Sequence, residues 1–202
     1  IALSCTRLDV RYASASGVIR SATAAGRPLT IDVAGRESRP ESTNQRKGFQ
    51  KSRLSRLTVG GQAQYDGQTD ELTLSGGARL EQPGEPNAVL TCDALRVQFR
   101  SDGLQTPPGE LTLPTAVLRA TATGSVVFID GVWRIECDRL EYDPPQGVVR
   151  LLSAGQPVRA IRRNLETGKP DTTATVETGL ILRMDTREFE FLGAYRIASE
   201  PR

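Results

Sequence analysis

Apolar and polar residues alternate with a period of two along much of this chain. Leu72-Thr73-Leu74, Leu95-Arg96-Val97-Gln98-Phe99, Leu111-Thr112-Leu113 and Phe189-Glu190-Phe191 each place their apolar side chains on one face of an extended strand. Turn clusters separate such runs: Asp66-Gly67, Gly76-Gly77, Pro83-Gly84, Pro107-Pro108-Gly109, Asp130-Gly131 and Pro144-Pro145-Gln146-Gly147. No long stretch carries apolar residues at i, i+3, i+4 and i+7. Short strands punctuated by Gly, Pro and Asp predict an all-β fold.

The strands repeat. Leu3-Ser-Cys5-Thr-Arg-Leu8-Asp-Val10-Arg-Tyr12 matches Leu90-Thr-Cys92-Asp-Ala-Leu95-Arg-Val97-Gln-Phe99, and Ile135-Glu-Cys137-Asp-Arg-Leu140-Glu-Tyr142 matches both. Gln62-Ala63-Gln64-Tyr65-Asp66 reads as a degenerate copy, and Val176-Glu177-Thr178 begins a weaker last one. The second and third clear copies start 45 residues apart (90 to 135) and the first and second 87, close to two such steps; steps of roughly 40–45 residues mark a supersecondary unit whose neighbours stack to share a core. Within each clear copy the alternation changes phase between Cys and Leu. A flat strand cannot put both on one face, so the Cys-x-x-Leu step predicts a bulge, a bend or a passage between faces. A turn and a second strand follow, as at Gly17-Val18-Ile19, Asp70–Gly76 and Gly147–Leu152, and then a glycine near the next crossing: Gly26, Gly76, Gly155 or Gly193.

Composition narrows the function. The 202 residues contain no histidine, which removes the commonest general base and metal ligand, together with Ser-His-Asp and Cys-His machinery. Cys5, Cys92 and Cys137 form no CxxC pair, so metal-ligand spacing is missing. They read as small buried residues at one repeat position, although stacking could bring Cys92 near enough to Cys137 for a disulfide. The net charge of +2 gives no argument for nucleic acid or a membrane surface. No run of 18 apolar residues exists to span a membrane as a helix. Since the chain opens directly on a strand-like stretch, a mature or excised piece is expected, with any signal or anchor segment outside it.

The phrase Ile135-Glu-Cys-Asp-Arg-Leu-Glu-Tyr-Asp-Pro-Pro-Gln-Gly-Val-Val-Arg-Leu-Leu-Ser-Ala-Gly155 resembles the repeat of the OstA-like family, which covers periplasmic lipopolysaccharide-transport proteins and the N-terminal domain of an outer-membrane assembly protein. Tyr65-Asp-Gly-Gln-Thr-Asp-Glu-Leu-Thr-Leu-Ser-Gly-Gly77 is similar to the second half of that unit. The resemblance covers most of residues 57–197 and, more loosely, 1–31. It implies a curved β-jelly-roll or solenoid-like stack of hairpins, a slit-like apolar interior for lipopolysaccharide acyl chains, and edge-to-edge pairing with other β-jelly-roll modules in the periplasm. Two departures stand out: Cys replaces the family's usual Ala, and residues 36–56 form a basic insertion. The expected organisation is a first hairpin repeat over 1–35, the basic loop over 36–56, and stacked repeats of the same β domain over 57–202.

The candidate interior rows are Leu8, Val10, Tyr12, Leu95, Val97, Phe99, Leu140 and Tyr142. An acyl-chain channel and an ordinary core share this composition, so both readings stand, with low aromatic content leaning towards a slit. Trp133, beside the Asp130-Gly131 turn, reads as a core anchor near a strand start, or else as a lipid or partner contact. The basic stretch has one aromatic, Phe49, and reads as a solvated loop rather than a single-strand binder. The carboxylate pairs Asp138/Glu141 and Asp185/Glu188 lie beside arginines, where solvated faces are usual. No G-x-S-x-G, P-loop or G-x-G-x-x-G is present. The sequence therefore points to a non-enzymatic, cofactor-free lipid carrier or bridge segment, with a structural β-scaffold that binds protein through its edges as the alternative.

Overall fold

Period-two alternation buries one face of each strand, and the computed structural model shows how those faces are gathered. It describes residues 2–12, 19–33, 55–82, 88–99, 117–164 and 167–199. The first strands are β1 (Ala2–Ser4), β2 (Arg7–Tyr12), β3 (Ile19–Ala25), β4 (Leu29–Val33), β5 (Ser55–Val59), β6 (Gln62–Asp66), β7 (Glu71–Gln82) and β8 (Ala88–Phe99). There follow β9 (Val117–Asp130), β10 (Trp133–Asp143), β11 (Val148–Leu152), β12 (Val158–Arg163), β13 (Pro170–Val176), β14 (Gly179–Arg183), β15 (Phe189–Leu192) and β16 (Tyr195–Ser199). A 3-10 turn, Pro144–Gln146, joins β10 to β11.

The pairing resolves these strands into ten antiparallel rungs, each crossing a common fold line. In chain order the rungs are β1–β2, β3–β4, β5–β6, β7, β8, β9, β10, β11–β12, β13–β14 and β15–β16. One arm of the folded sheet runs β1-β4-β5-β7-β8-β9-β10-β12-β13-β16; the other runs β2-β3-β6-β7-β8-β9-β10-β11-β14-β15. The long strands β7 to β10 belong to both arms, changing register at the fold line between Ser75 and Ala78, Thr91 and Ala94, and Cys137 and Arg139. The result is one large curved, unclosed antiparallel sheet: of the two expected forms, the jelly-roll.

The Cys-x-x-Leu phase change lies on this fold line in all three copies. Cys5-Thr6 separates β1 from β2, while Cys92-Asp93 and Cys137-Asp138 occupy the two register shifts. Resetting the alternation there keeps apolar side chains on the concave side of both arms. The degenerate copies cross at the same line, through Val59-Gly60-Gly61 and Val176-Glu177-Thr178. The returning rungs cross at Gly26, Gly76, Gly124, Gly155 and Gly193, so Gly124 joins the four glycines expected from the sequence. At Gly61 the reason is close approach: a methyl group there would collide with the Ser75 carbonyl of the next rung.

The core sits between the arms. One register row of the second arm links Leu8, Ala24, Ala63, Leu74, Leu95, Ala122, Leu140, Leu151, Leu180 and Phe191 from rung one to rung ten. Its counterpart in the first arm links Leu3, Ile31, Leu57, Leu80, Leu90, Phe128, Ile135, Ala160, Ala174 and Ile197. Buried members of both rows belong to one hydrophobic cluster, and among the described residues no polar or charged residue is buried. Residues 36–54 of the basic stretch, the Leu111-Thr112-Leu113 run and the Pro83-Gly84 and Pro107–Gly109 turns lie outside the described residues. Ser55 and Arg56, expected in the loop, instead begin β5, where pairing with Val33 and Asp32 extends the ladder.

Candidate functional site

The apolar interior between the arms is the candidate site, and it has graded depth. Next to the fold line the side chains are sealed: Leu29, Val59, Leu74, Leu151, Val158, Val176 and Leu180 are fully buried. One step towards the open mouth, Leu72, Leu80, Leu90, Val97, Tyr142 and Phe189 are only partly buried against that cluster. The row that holds Leu72, Val97 and Tyr142 is half-buried over rungs four to seven, whereas Val149 and Leu182 bury the same row at rungs eight and nine. Burial pushes the Tyr142 hydroxyl's pKa up. It does the same at Tyr65, where a 2.8 Å bond to Asp70 Oδ1 adds to the effect.

The sequence-derived interior residues distribute across these depths. Leu95 and Leu140 lie in the deep row, and Val97 and Tyr142 in the half-buried one. Val10 falls in register with Val97 and Tyr142 through Ala22, Tyr65, Leu72 and Ala120. Phe99 pairs with Val117 at the lip of the second arm and is half-buried. The backbone of Tyr12 ends β2, and its side chain lies outside the described residues. Leu8 belongs to the deep row yet is 51% exposed: it sits on the first rung, where among the described residues β2 pairs with β3 alone. The sequence reading missed the whole wall contributed by the first arm, although Leu90 and Ile135, the first residue of each motif copy, were its visible members.

The cysteines are free thiols. Cys92 and Cys137 lie on β8 and β10 with β9 between them, about 9.5 Å apart at the usual strand spacing, whereas a disulfide needs Cα atoms within about 7 Å. The envisaged Cys92–Cys137 bridge is thus not made. Burial pushes both thiols up to about 11, with the neighbouring Asp93 and Asp138 charges adding to it and backbone hydrogen bonds opposing it at Cys137.

Asp138 is occupied structurally. Its Oδ2 accepts the Ala154 and Gln156 N–H groups at 2.6 and 3.1 Å, which cap the turn between β11 and β12 and lower its pKa. Glu141 pairs with Arg139 on the outer face, and Asp185 accepts the Thr186 N–H in an exposed turn. Neither carboxylate pair faces the interior as an acid and base. Among the described residues no group of three or more Cys, Asp or Glu side chains could hold a metal ion, and no helix is long and apolar enough to cross a membrane.

Trp133 does begin a strand, as expected, and it stands at the mouth rather than in the deep core. Its ring meets Phe189 of the opposite arm edge to face, with centroids 5.1 Å apart. Nearby, Arg187 Nη2 lies 3.6 Å from Asp130 Oδ1. Burial raises the Asp130 pKa and the Arg187 charge opposes the shift.

Fold and site together define a class: a folded-over, unclosed antiparallel sheet with an apolar interior. A solved structure of that class is LptH, described as the LptA homologous periplasmic component of the conserved lipopolysaccharide transport device from Pseudomonas aeruginosa. The similarity has a TM-score of 0.53 at 12% identity and covers 73% of this chain and 95% of LptH. The OstA-like β-jelly-roll implied by the sequence is the fold the chain adopts. No family model matches the chain, and no curated protein matches it in sequence.

Proposed function

We propose that this chain is a periplasmic, non-catalytic carrier or bridge segment for a lipopolysaccharide-type amphiphile, shielding acyl chains in the slit between its arms. The observation that carries this reading is the pair of apolar rows running in register through all ten rungs of an unclosed sheet, with Leu72, Leu80, Leu90 and Val97 only partly buried between the arms. Similarity to LptH, a periplasmic component of a lipopolysaccharide transport device, supports both compartment and cargo. The half-buried rows supply apolar surface that a guest chain would cover at about 25 cal/mol per Å².

The alternative, a β-scaffold that pairs through its edges without cargo, is favoured by the full burial of the deepest rows among the chain's own side chains. Gel filtration of the chain with rough lipopolysaccharide separates the two. Co-elution is expected for the native chain and its loss for Leu72→Lys, which places a charge in the half-buried row. A correctly folded chain that retains no lipopolysaccharide at any ratio, yet still self-associates, would leave the scaffold.

A further inference from the structure

The mouth of the folded sheet is bridged at one place. Trp133 lies on rung seven and Phe189 on rung ten, a displacement of three strand spacings, about 14 Å along the stack. Their rings nevertheless touch. Sheets twist right-handedly by roughly 20–25° per strand, and a twist of that sense brings strands on different rungs of the two arms across one another. The Asp130–Arg187 ion pair crosses the same gap, and Asp130 is only 12% exposed there. Two independent contacts, one aromatic and one ionic, therefore hold the lips together.

The crossing hairpin is stiff. In the turn between β14 and β15 the Arg187 N–H donates to the Arg183 carbonyl at 2.8 Å and the Arg183 N–H to the Glu188 carbonyl at 3.0 Å. Arg187 itself is held at φ 60°, in the left-handed region. The Met184 N–H donates to the Gly147 carbonyl, tying this lip to the hairpin beside it. On the opposite lip, Asp130 and Trp133 flank the two-residue turn Gly131-Val132. Each side chain of the bridge is thus presented by a defined turn and not by a slack loop.

We propose that Trp133–Phe189 and Asp130–Arg187 form a latch: it closes the mouth over the last rungs, and apolar cargo reaches the interior beneath it only when the 184–189 tip of the β14–β15 hairpin lifts from Asp130 and Trp133. The closure stands on geometry alone, and only the nature of what passes rests on the carrier reading above. The latch also divides the interior. Inner positions on the second and third rungs are small or aliphatic apart from Tyr65, with Ala22, Ala24 and Ala63 among them. The bulky Phe128, Trp133, Phe189 and Phe191 lie on rung six and beyond.

Trp133 is the sole tryptophan, so its fluorescence reads the latch in the full chain. Acrylamide quenching without amphiphile tests closure in Arg187→Asn, Asp130→Asn and Phe189→Ala. Asn tolerates the left-handed backbone at position 187, so Arg187→Asn keeps the test valid even where Phe189→Ala folds poorly. The control is Arg139→Ala, which removes an outer-face pair with Glu141. Accessibility of Trp133 is expected to rise about two- to five-fold in the latch variants, the population change that follows loss of one modest ion pair, and to stay unchanged in the control. Unchanged accessibility in Arg187→Asn overturns the latch. A second arm uses stearic acid brominated along its chain, which quenches Trp133 on contact. Faster loading at similar final occupancy in the latch variants supports gating, and equal loading rates despite higher accessibility overturn it. If accessibility rises but no variant takes up the brominated acid, the closure stands and the carrier reading fails.

Discussion

At the residue scale, the cysteines show what a motif can and cannot disclose. The spacing Cys-x-x-Leu marked a change of face without any knowledge of the fold, and all three copies lie where the sheet folds over. Their chemistry follows from that position. Cys92 and Cys137 are packed on the concave side of the bend, where a charged thiolate is poorly solvated, and both titrate at about 11 instead of 9.0. Because each folded pKa is raised, these thiols contribute stability that is fully present below pH 9 and is lost as pH rises through 11. Urea midpoints measured between pH 8 and 11 should therefore fall, and the fall should shrink in Cys92→Ala/Cys137→Ala. Midpoints equally steep in the double variant would assign the loss to other groups. The Trp133–Phe189 contact was not legible in the same way, since no local pattern states how far twist will carry one hairpin over another.

At the element scale, each rung is two short strands joined by a corner, and the corner decides whether neighbouring rungs can stack. The forward rungs announced their corners through a phase change. The returning rungs keep phase, as Leu74 to Ala78 and Ala122 to Val126 do, and only a glycine betrays them. The first two forward copies were hard to align because the connection 34–54 lengthens one interval, which hid Leu57-Thr58-Val59 as the second copy. A corner glycine and a turn glycine are not equivalent. Gly61, at a corner, lies against the Ser75 carbonyl, whereas Gly147, in the turn between β10 and β11, has open space around its Cβ position and only a positive φ of 64°. Gly147→Ala should cost about 1 kcal/mol, the usual penalty for an L-residue in that region. Gly61→Ala must push rungs apart and should cost about 2–3 kcal/mol, towards the upper end for single substitutions. Chemical denaturation of the two variants side by side checks the order, and equal losses would mean that the rungs can separate at the corner without strain.

At the scale of the whole molecule, the sheet is long, folded and unclosed. Among the described residues, β1 and β2 on the first rung and β15 and β16 on the last each pair along one edge. On those strands Leu3 and Leu8 at one end, and Tyr195 and Ile197 at the other, are 42–58% exposed. Natural sheets usually blunt an unpaired edge beside exposed apolar side chains, and such an edge would accept a strand from another sheet. The two ends differ in sequence, and pairing them is therefore heterologous, producing an open series and not a closed dimer. The ion pairs on the outer faces, such as Arg79–Glu81 and Arg134–Glu136, are too exposed to drive assembly, which leaves the ends. Sedimentation velocity on the native chain should show weight-average size rising steadily with concentration. Ile197→Lys, and independently Leu3→Lys, should hold the protein near a single copy while leaving its melting temperature nearly unchanged, because neither side chain is buried in the isolated molecule. Mixing the two variants should restore only a single step of pairing, between the intact end of each. A native chain that stays monomeric at every concentration would mean that these ends await a different β-jelly-roll partner, and the same Lys variants would then be read against that partner.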